Sequence, residues 1–286
     1  MKKTFKEIWR LVYPVLIFFA AELLVETGVL MYYISTQVSG VEFWLSGGVV
    51  ITQEELAEFI NKCSLQITTL RNTILIPVFL IFLHGDNKKR QRACGFRYAM
   101  PGVKDFIFII VLGMAAAVSI NAVVSLSGLA YLSSKYQEVS QIIYSGSIAM
   151  EILSAAIAAP VLEELFFRGM IYQRLRGYCE ALPAILISSA FFGVFHGNLV
   201  QFVYAFLVGC MLAYVYEKLK TIWAPVLFHV GANLLSVLIT ELLPESCMTV
   251  FIVIGAMVVC MVVTVVLLKY VSRYQAVEVP VEGSEG

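Results

Sequence analysis

The sequence predicts an all-α protein, a polytopic transmembrane helical bundle of about eight spans with both termini cytoplasmic, and three observations predict it. Of its 286 residues 60% are apolar and only 14% charged, against roughly 45–50% and 25% in an ordinary soluble domain. Apolar runs recur along most of the chain, each near the roughly 20 residues that a helix rising about 1.5 Å per residue needs to cross a hydrocarbon core. Lysines and arginines gather in alternate segments between those runs, the distribution that marks the cytoplasmic side.

Taken in order, the spans fall at 11–34, 67–84, 105–125, 149–172, 182–197, 201–217, 222–241 and 247–269. The first has no A-x-A-like exit and reads as a retained span rather than a cleaved signal peptide. An even number of spans puts both termini on one side. That side carries Lys2, Lys3, Lys6 and Arg10, then the stretch from Lys88 to Lys104, then Arg174 and Arg176, Lys218 and Lys220, and Lys269 and Arg273. The opposite segments hold just Lys62 and Lys135. Span count and charge count thus support the same orientation independently.

Between the first two spans, in the segment 35–66, Thr52 and Glu55 form a capping box, and Leu56, Phe59, Ile60 and Cys63 follow at helical spacing. A short amphipathic interfacial helix is expected there, covering the bundle at its outer face. The tail after Arg273 is expected to be disordered. The organisation is therefore 1–140, N-terminal transmembrane helices with the extracytoplasmic amphipathic segment; 141–246, a helical core; and 247–286, the last transmembrane helix and a short tail. Net charge is zero, and no basic stretch has the aromatic interleaving of a nucleic-acid surface, so nucleic acid is excluded as a partner. The six cysteines are scattered without metal-ligand or C-x-x-C spacing and read as small apolar residues.

Ionisable groups inside spans cost about 2.5–3.5 kcal/mol each on insertion scales, which makes each a candidate functional residue. Within span four, the run Ala159–Gly169 holds three: Glu163, Glu164 and Arg168. Adjacent helical residues point about 100° apart, so the two carboxylates have different tasks. Glu164 and Arg168 are i and i+4 in the favourable order and can neutralise one another. Glu163 is left on another face, where a carboxylate without a partner suits a general base.

Two of the three histidines lie in spans five and seven, as His196 and His229. Spans four and five form a hairpin turning near Gly177 to Ala181, and counting outward from that turn levels Glu163 with His196. His229 and Asn233 are i and i+4 and share one helix face, a spacing that can present two polar groups to one oxyanion. A tight turn near Lys218 sets His229 several residues nearer the cytoplasm than His196, unless span seven tilts or the turn dips into the bundle. Glu22 and Glu26 in span one share a face, and Arg71 in span two is a possible partner; these read as structural charges.

The signatures E-E-x-x-x-R (Glu163, Glu164, Arg168), F-x-x-x-H (Phe192, His196) and H-x-x-x-N (His229, Asn233) resemble, in order, those of the CPBP family, which unites CAAX prenyl endopeptidases with bacteriocin-processing and immunity (Abi-type) proteins. The resemblance covers about Glu151 to Ser236. It implies that Glu163 activates a water that His196 helps to hold, that His229 and Asn233 stabilise the oxyanion, and that Glu164 and Arg168 are a supporting ion pair. The implied activity is hydrolysis of a peptide or membrane-protein substrate without a covalent acyl-enzyme, within the lipid bilayer, with the bacterial plasma membrane as the expected location. No cofactor is expected, although Glu163, His196 and His229 are also a sufficient ligand set for zinc. Two other readings stay open, a non-catalytic immunity or binding protein of the same fold and a proton-coupled transporter.

Overall fold

The computed structural model describes residues 2–38, 52–144 and 146–281. Nine helices of ten or more residues are found among the described residues: α1 (Lys2–Val38), α2 (Gln53–Cys94), α3 (Val103–Leu126), α4 (Ser134–Ile143), α5 (Ile148–Leu175), α6 (Ala181–Phe195), α7 (Leu199–Leu219), α8 (Trp223–Leu242) and α9 (Val250–Arg273). Six of them, α1, α2, α3, α7, α8 and α9, are long and apolar enough to cross a membrane. The chain is a multi-pass integral membrane protein. The short helix α4 precedes span four and was not foreseen. At 15 residues, α6 is shorter than a full crossing needs, so its C-terminal end stops inside the bundle, with His196 as its C-cap.

Two expectations are corrected. Thr52 caps the N-terminus of α2 through a reciprocal capping box with Glu55. The helix does not stop at an interfacial segment, however, but runs on for 42 residues. Neither glycine nor proline occurs between Gln53 and Ile76, so nothing breaks it. At about 1.5 Å per residue it is about 63 Å long and must project beyond the hydrocarbon core. The part of the 35–66 segment from 39 to 51 lies outside the described residues.

The tail after Arg273 is also ordered in part. Residues Glu278–Pro280 form a strand (β2) that pairs antiparallel with β1 (Phe96–Tyr98), Phe96 opposite Pro280 and Tyr98 opposite Glu278. Backbone bonds from Ala99 to the Val277 carbonyl and from Val281 to the Gly95 carbonyl extend the ladder. Val277, Val279 and Val281 alternate with other residues, a period of two too short to stand out in sequence.

Span four is not a plain α-helix. In α5, i→i+5 winding over Ile152–Ala158 and again over Leu165–Tyr172 flanks an α-helical stretch, Ala159–Glu164. The Ala159 amide donates to the Ser154 carbonyl, five residues back. The next donor in that register would be residue 160, but this is a proline with no N–H. The Ala155 carbonyl therefore loses its partner within the helix. Pi-bulges of this kind recur at functional sites, and this one brackets Glu163 and Glu164.

The packing of α3 on α8 rests on two glycines. A Cβ on Gly113 would lie 2.0 Å from the Phe228 carbonyl oxygen, and one on Gly231 would lie 3.0 Å from the Ile110 carbonyl oxygen. Small residues let helix backbones approach closely in a bilayer, where dispersion contacts replace the hydrophobic drive. Phe228 immediately precedes His229, so this contact also sets the position of a candidate site residue. Gly113→Ala is expected to destabilise the folded protein by about 1–3 kcal/mol, read as a lowered Tm in detergent. An unchanged Tm would refute this account of the helix contact.

Candidate active site

The six nominated residues fall on three neighbouring helices. Glu163, Glu164 and Arg168 come from α5, His196 from the end of α6, and His229 and Asn233 from α8. Gly197, with φ of +74°, turns the chain sharply out of α6 just after His196, and Asn198 caps α7 by accepting from the Gln201 amide. A left-handed backbone of this kind is open to glycine without steric cost.

The centre is a chain of charged groups. Arg168 and Glu164 are both fully buried, with Nη1 donating to Oε1 at 3.0 Å. The second arm of the guanidinium donates to the Gly209 carbonyl of α7 at 2.9 Å. A Cβ at Gly209 would lie 3.2 Å from that arm, so the glycine makes the approach possible. The guanidinium also stacks 4.6 Å from the Phe192 ring centre. The pairing expected from the i, i+4 spacing is present, but Glu164 does more. Its Oε1 also meets His229 Nδ1 at 2.8 Å.

That bond decides the tautomer of the imidazole. A carboxylate can only accept, so His229 carries its proton on Nδ1 and turns Nε2 outward. His229 is 5% exposed, and its Nε2 lies 3.8 Å from Glu163 Oε2, too long for a direct hydrogen bond. His196 is arranged in the same way. Its Nδ1 faces the Phe192 carbonyl at 2.8 Å, and a carbonyl likewise requires N–H at that position. Both histidines therefore offer Nε2 for chemistry, and Phe192 stands between them, its ring 4.8 Å from that of His196 and 5.8 Å from that of His229.

The two adjacent glutamates thus have opposite environments. Glu164 is enclosed between a guanidinium and an imidazole, whereas the Glu163 side chain keeps 29% of its surface and opens on two cavities. The larger cavity, about 540 Å³, is lined by Glu163, His196, His229 and Asn233. A second, of about 380 Å³, runs from Glu163 and His196 along an aromatic wall that includes Phe18, Phe166 and Phe195. His229 reaches the depth of both glutamates, which the count from a turn at Lys218 did not provide. The i→i+5 winding of Leu165–Tyr172 puts more residues into each turn than an α-helix does. It thereby draws Glu163 toward the end of the bundle where α8 begins.

Asn233 is drawn in two directions. Its Nδ2 donates to the Ala155 carbonyl at 2.9 Å, supplying the hydrogen bond that Pro160 cannot. An amide nitrogen has a second N–H, and the residue lines the same cavity as Glu163.

The N-terminal helices complete the wall. Arg71 donates to Glu22 at 2.7 Å and to the Asn72 side chain, and its guanidinium sits 4.9 Å from the Phe18 ring centre. The expected Glu22–Arg71 pair exists, and both residues line the two cavities beside Glu163 and His196. Glu26 points away and is exposed. Their position in the site had no motif to reveal it; the only signal was ionisable residues at membrane depth. Among the described residues no three His, Cys, Asp or Glu side chains are grouped to hold a metal ion. Glu163, His196 and His229 do not converge as zinc ligands would.

A bundle of apolar helices thus encloses a glutamate, two oriented histidines and an open cavity. Residues 145–235 match the family described as "Type II CAAX prenyl endopeptidase Rce1-like". It is also 32% identical over 87 residues to a protein of Bacillus subtilis (strain 168) named "Putative membrane peptidase YdiL", a stretch covering 30% of this chain and 36% of the relative. The chain thus spans about a third of the length of the curated relative it matches. No solved structure matches it. The matched segment holds all six nominated residues and stops short of α1, α2 and α3.

Proposed function

We propose that this protein is an intramembrane endopeptidase in which Glu163 activates water for direct attack on a peptide bond. The observation that carries the reading is the division of labour between adjacent carboxylates. Glu164 is locked between Arg168 and His229, while Glu163 faces the cavity within 3.8 Å of His229 Nε2. Paired carboxylates in contrasting environments are how one site separates a structural charge from a working base.

In this reading a water lies between Glu163 and the Nε2 of His196. Glu163 takes one of its protons as the oxygen attacks the substrate carbonyl. The resulting oxyanion accepts from the remaining N–H of Asn233, with His229 held beside it by the Glu164 carboxylate. Collapse breaks the C–N bond, and Glu163 returns the proton to the departing amine. The aromatic wall beside Glu163 suits an apolar peptide or a membrane-protein tail, either of CAAX type or a peptide undergoing maturation. The cation-rich ends of the helices, and with them both termini, face the cytoplasm of a bacterial plasma membrane.

Direct attack makes two predictions for purified full-length protein incubated with a peptide library. In H₂¹⁸O each new carboxyl terminus gains one heavy oxygen, and a strong chelator leaves the rate within about twofold. A rate abolished by chelation and restored by zinc would overturn the metal-free mechanism. No cleavage by folded protein would favour the non-catalytic immunity or binding reading.

A further inference from the structure

A third cavity, of about 430 Å³, lies at the C-terminal end of α5, beyond the glutamates, where α2, β1, α5, α7 and the start of α8 meet. Four cations line it, Arg90, Arg97, Arg176 and Lys220, against one carboxylate, Glu217. Glu217 is already engaged, accepting from the Tyr172 hydroxyl at 2.8 Å and pairing with Arg176 and Lys220 at 3.2 and 3.0 Å. Among the described residues no carboxylate pairs with Arg90 or Arg97. The cavity therefore has an excess of positive charge that its own residues do not neutralise.

Two backbone features point the same way. Lys220, with φ of +56°, is the only non-glycine residue with positive φ among those described, and it ends α7 where glycine is the usual choice. A left-handed conformation costs a side-chain-bearing residue roughly 1–2 kcal/mol, and such a cost persists where the surrounding structure or a function maintains it. The lysine's charge is what glycine would lack. Next, α8 begins at this cavity without a side-chain cap, and Thr221, Ile222 and Trp223 line the wall. The dipole of a helix start favours an anion, although here the Ala224 amide already bonds the Thr221 carbonyl and Pro225 has no N–H.

We propose that this cavity binds a phosphate group, presented by the head group of an anionic phospholipid. The rim favours a lipid over a soluble anion, because Met100 and Trp223 are 60% and 49% exposed beside the cations. An apolar edge next to a basic pocket at the end of transmembrane helices seats both parts of such a molecule. No part of this site touches the glutamate centre, and it does not depend on the proposed chemistry.

The test is a thermal-shift and native mass-spectrometry titration of the full chain in neutral detergent, with phosphatidylglycerol, phosphatidylcholine or inorganic phosphate. Phosphatidylglycerol is expected to be retained and to raise Tm, and phosphatidylcholine not. Each cation removed is expected to weaken retention about fivefold, so that Arg97→Gln binds about fivefold and Arg90→Gln/Arg97→Gln on the order of 25-fold more weakly. Lys220→Gly guards against misfolding: it relieves the backbone while removing the charge, so its lipid-free Tm should be unchanged or higher and its retention of phosphatidylglycerol lower. Equal retention of the two lipids, or a double variant that binds phosphatidylglycerol like the parent, would overturn the site. A Tm shift from inorganic phosphate as large as that from phosphatidylglycerol would overturn the lipid as its source.

Discussion

Glu163→Gln is expected to lower peptide cleavage by about 10²–10⁴-fold while leaving the Tm within a degree or two of the parent. The amide keeps the volume and can still accept a hydrogen bond, but it cannot take a proton from water. The structure gives a reason for the fold to tolerate the change. Glu163 is partly exposed to a cavity, and its nearest charged neighbour, His229, lies beyond hydrogen-bond distance. Losing this carboxylate strands no buried partner. Cleavage is read by mass spectrometry of released peptides, with parent and variant protein matched in amount and folded state. A variant that cleaves at a tenth of the parent rate or better would rule out Glu163 as the base.

Arg168→Ala is expected to do the opposite, damaging the fold first. It removes the cation from a pair with no solvent access, leaves the Glu164 carboxylate buried beside one imidazole, and strips the Gly209 carbonyl of its donor. Breaking a buried pair on one side costs about 3–5 kcal/mol, a large share of a typical folding free energy. The double variant Glu164→Met/Arg168→Met separates structure from chemistry. Replacing both charges by apolar groups is often close to neutral for stability, so the double variant should melt well above Arg168→Ala. It should nevertheless be slow in cleavage, because His229 Nδ1 then has no acceptor to hold its tautomer and ring direction. A double variant as active as the parent would show that Glu164 does not position His229. Tm in detergent and cleavage rate, measured on the same preparations, give both answers.

How much could be read in advance differs from residue to residue. The i, i+4 relation of Glu164 and Arg168 is local, fixed by helical geometry, and the structure shows the pair it implies. The bond between Glu164 and His229 spans 65 residues and depends on how α5 and α8 cross. No spacing rule connects them, so Glu164 appeared to serve Arg168 alone. Asn233 is similar: its i+4 relation to His229 was visible, whereas its bond to the Ala155 carbonyl follows from i→i+5 winding ahead of Pro160, a register that a proline in sequence signals only weakly. Arg71 and Glu22 stood out as charges at membrane depth, but only packing of α1 and α2 against α5 puts them in the wall of the cavity.

The sequence alone determined that this chain lives in a bilayer as a helical bundle, because hydrophobicity and charge alternation are local quantities, but of the eight spans it predicted only six are long and apolar enough to cross by themselves among the described residues. It also named the residues that gather around the larger cavity. Tertiary structure alone decided their relations: the two-sided burial of Glu164, the outward Nε2 of both histidines, and the exposure of Glu163 to a cavity walled in part by the N-terminal helices. These arise from helix crossings set by glycine contacts and from π-wound turns, whose energies come from neighbours far away in the chain.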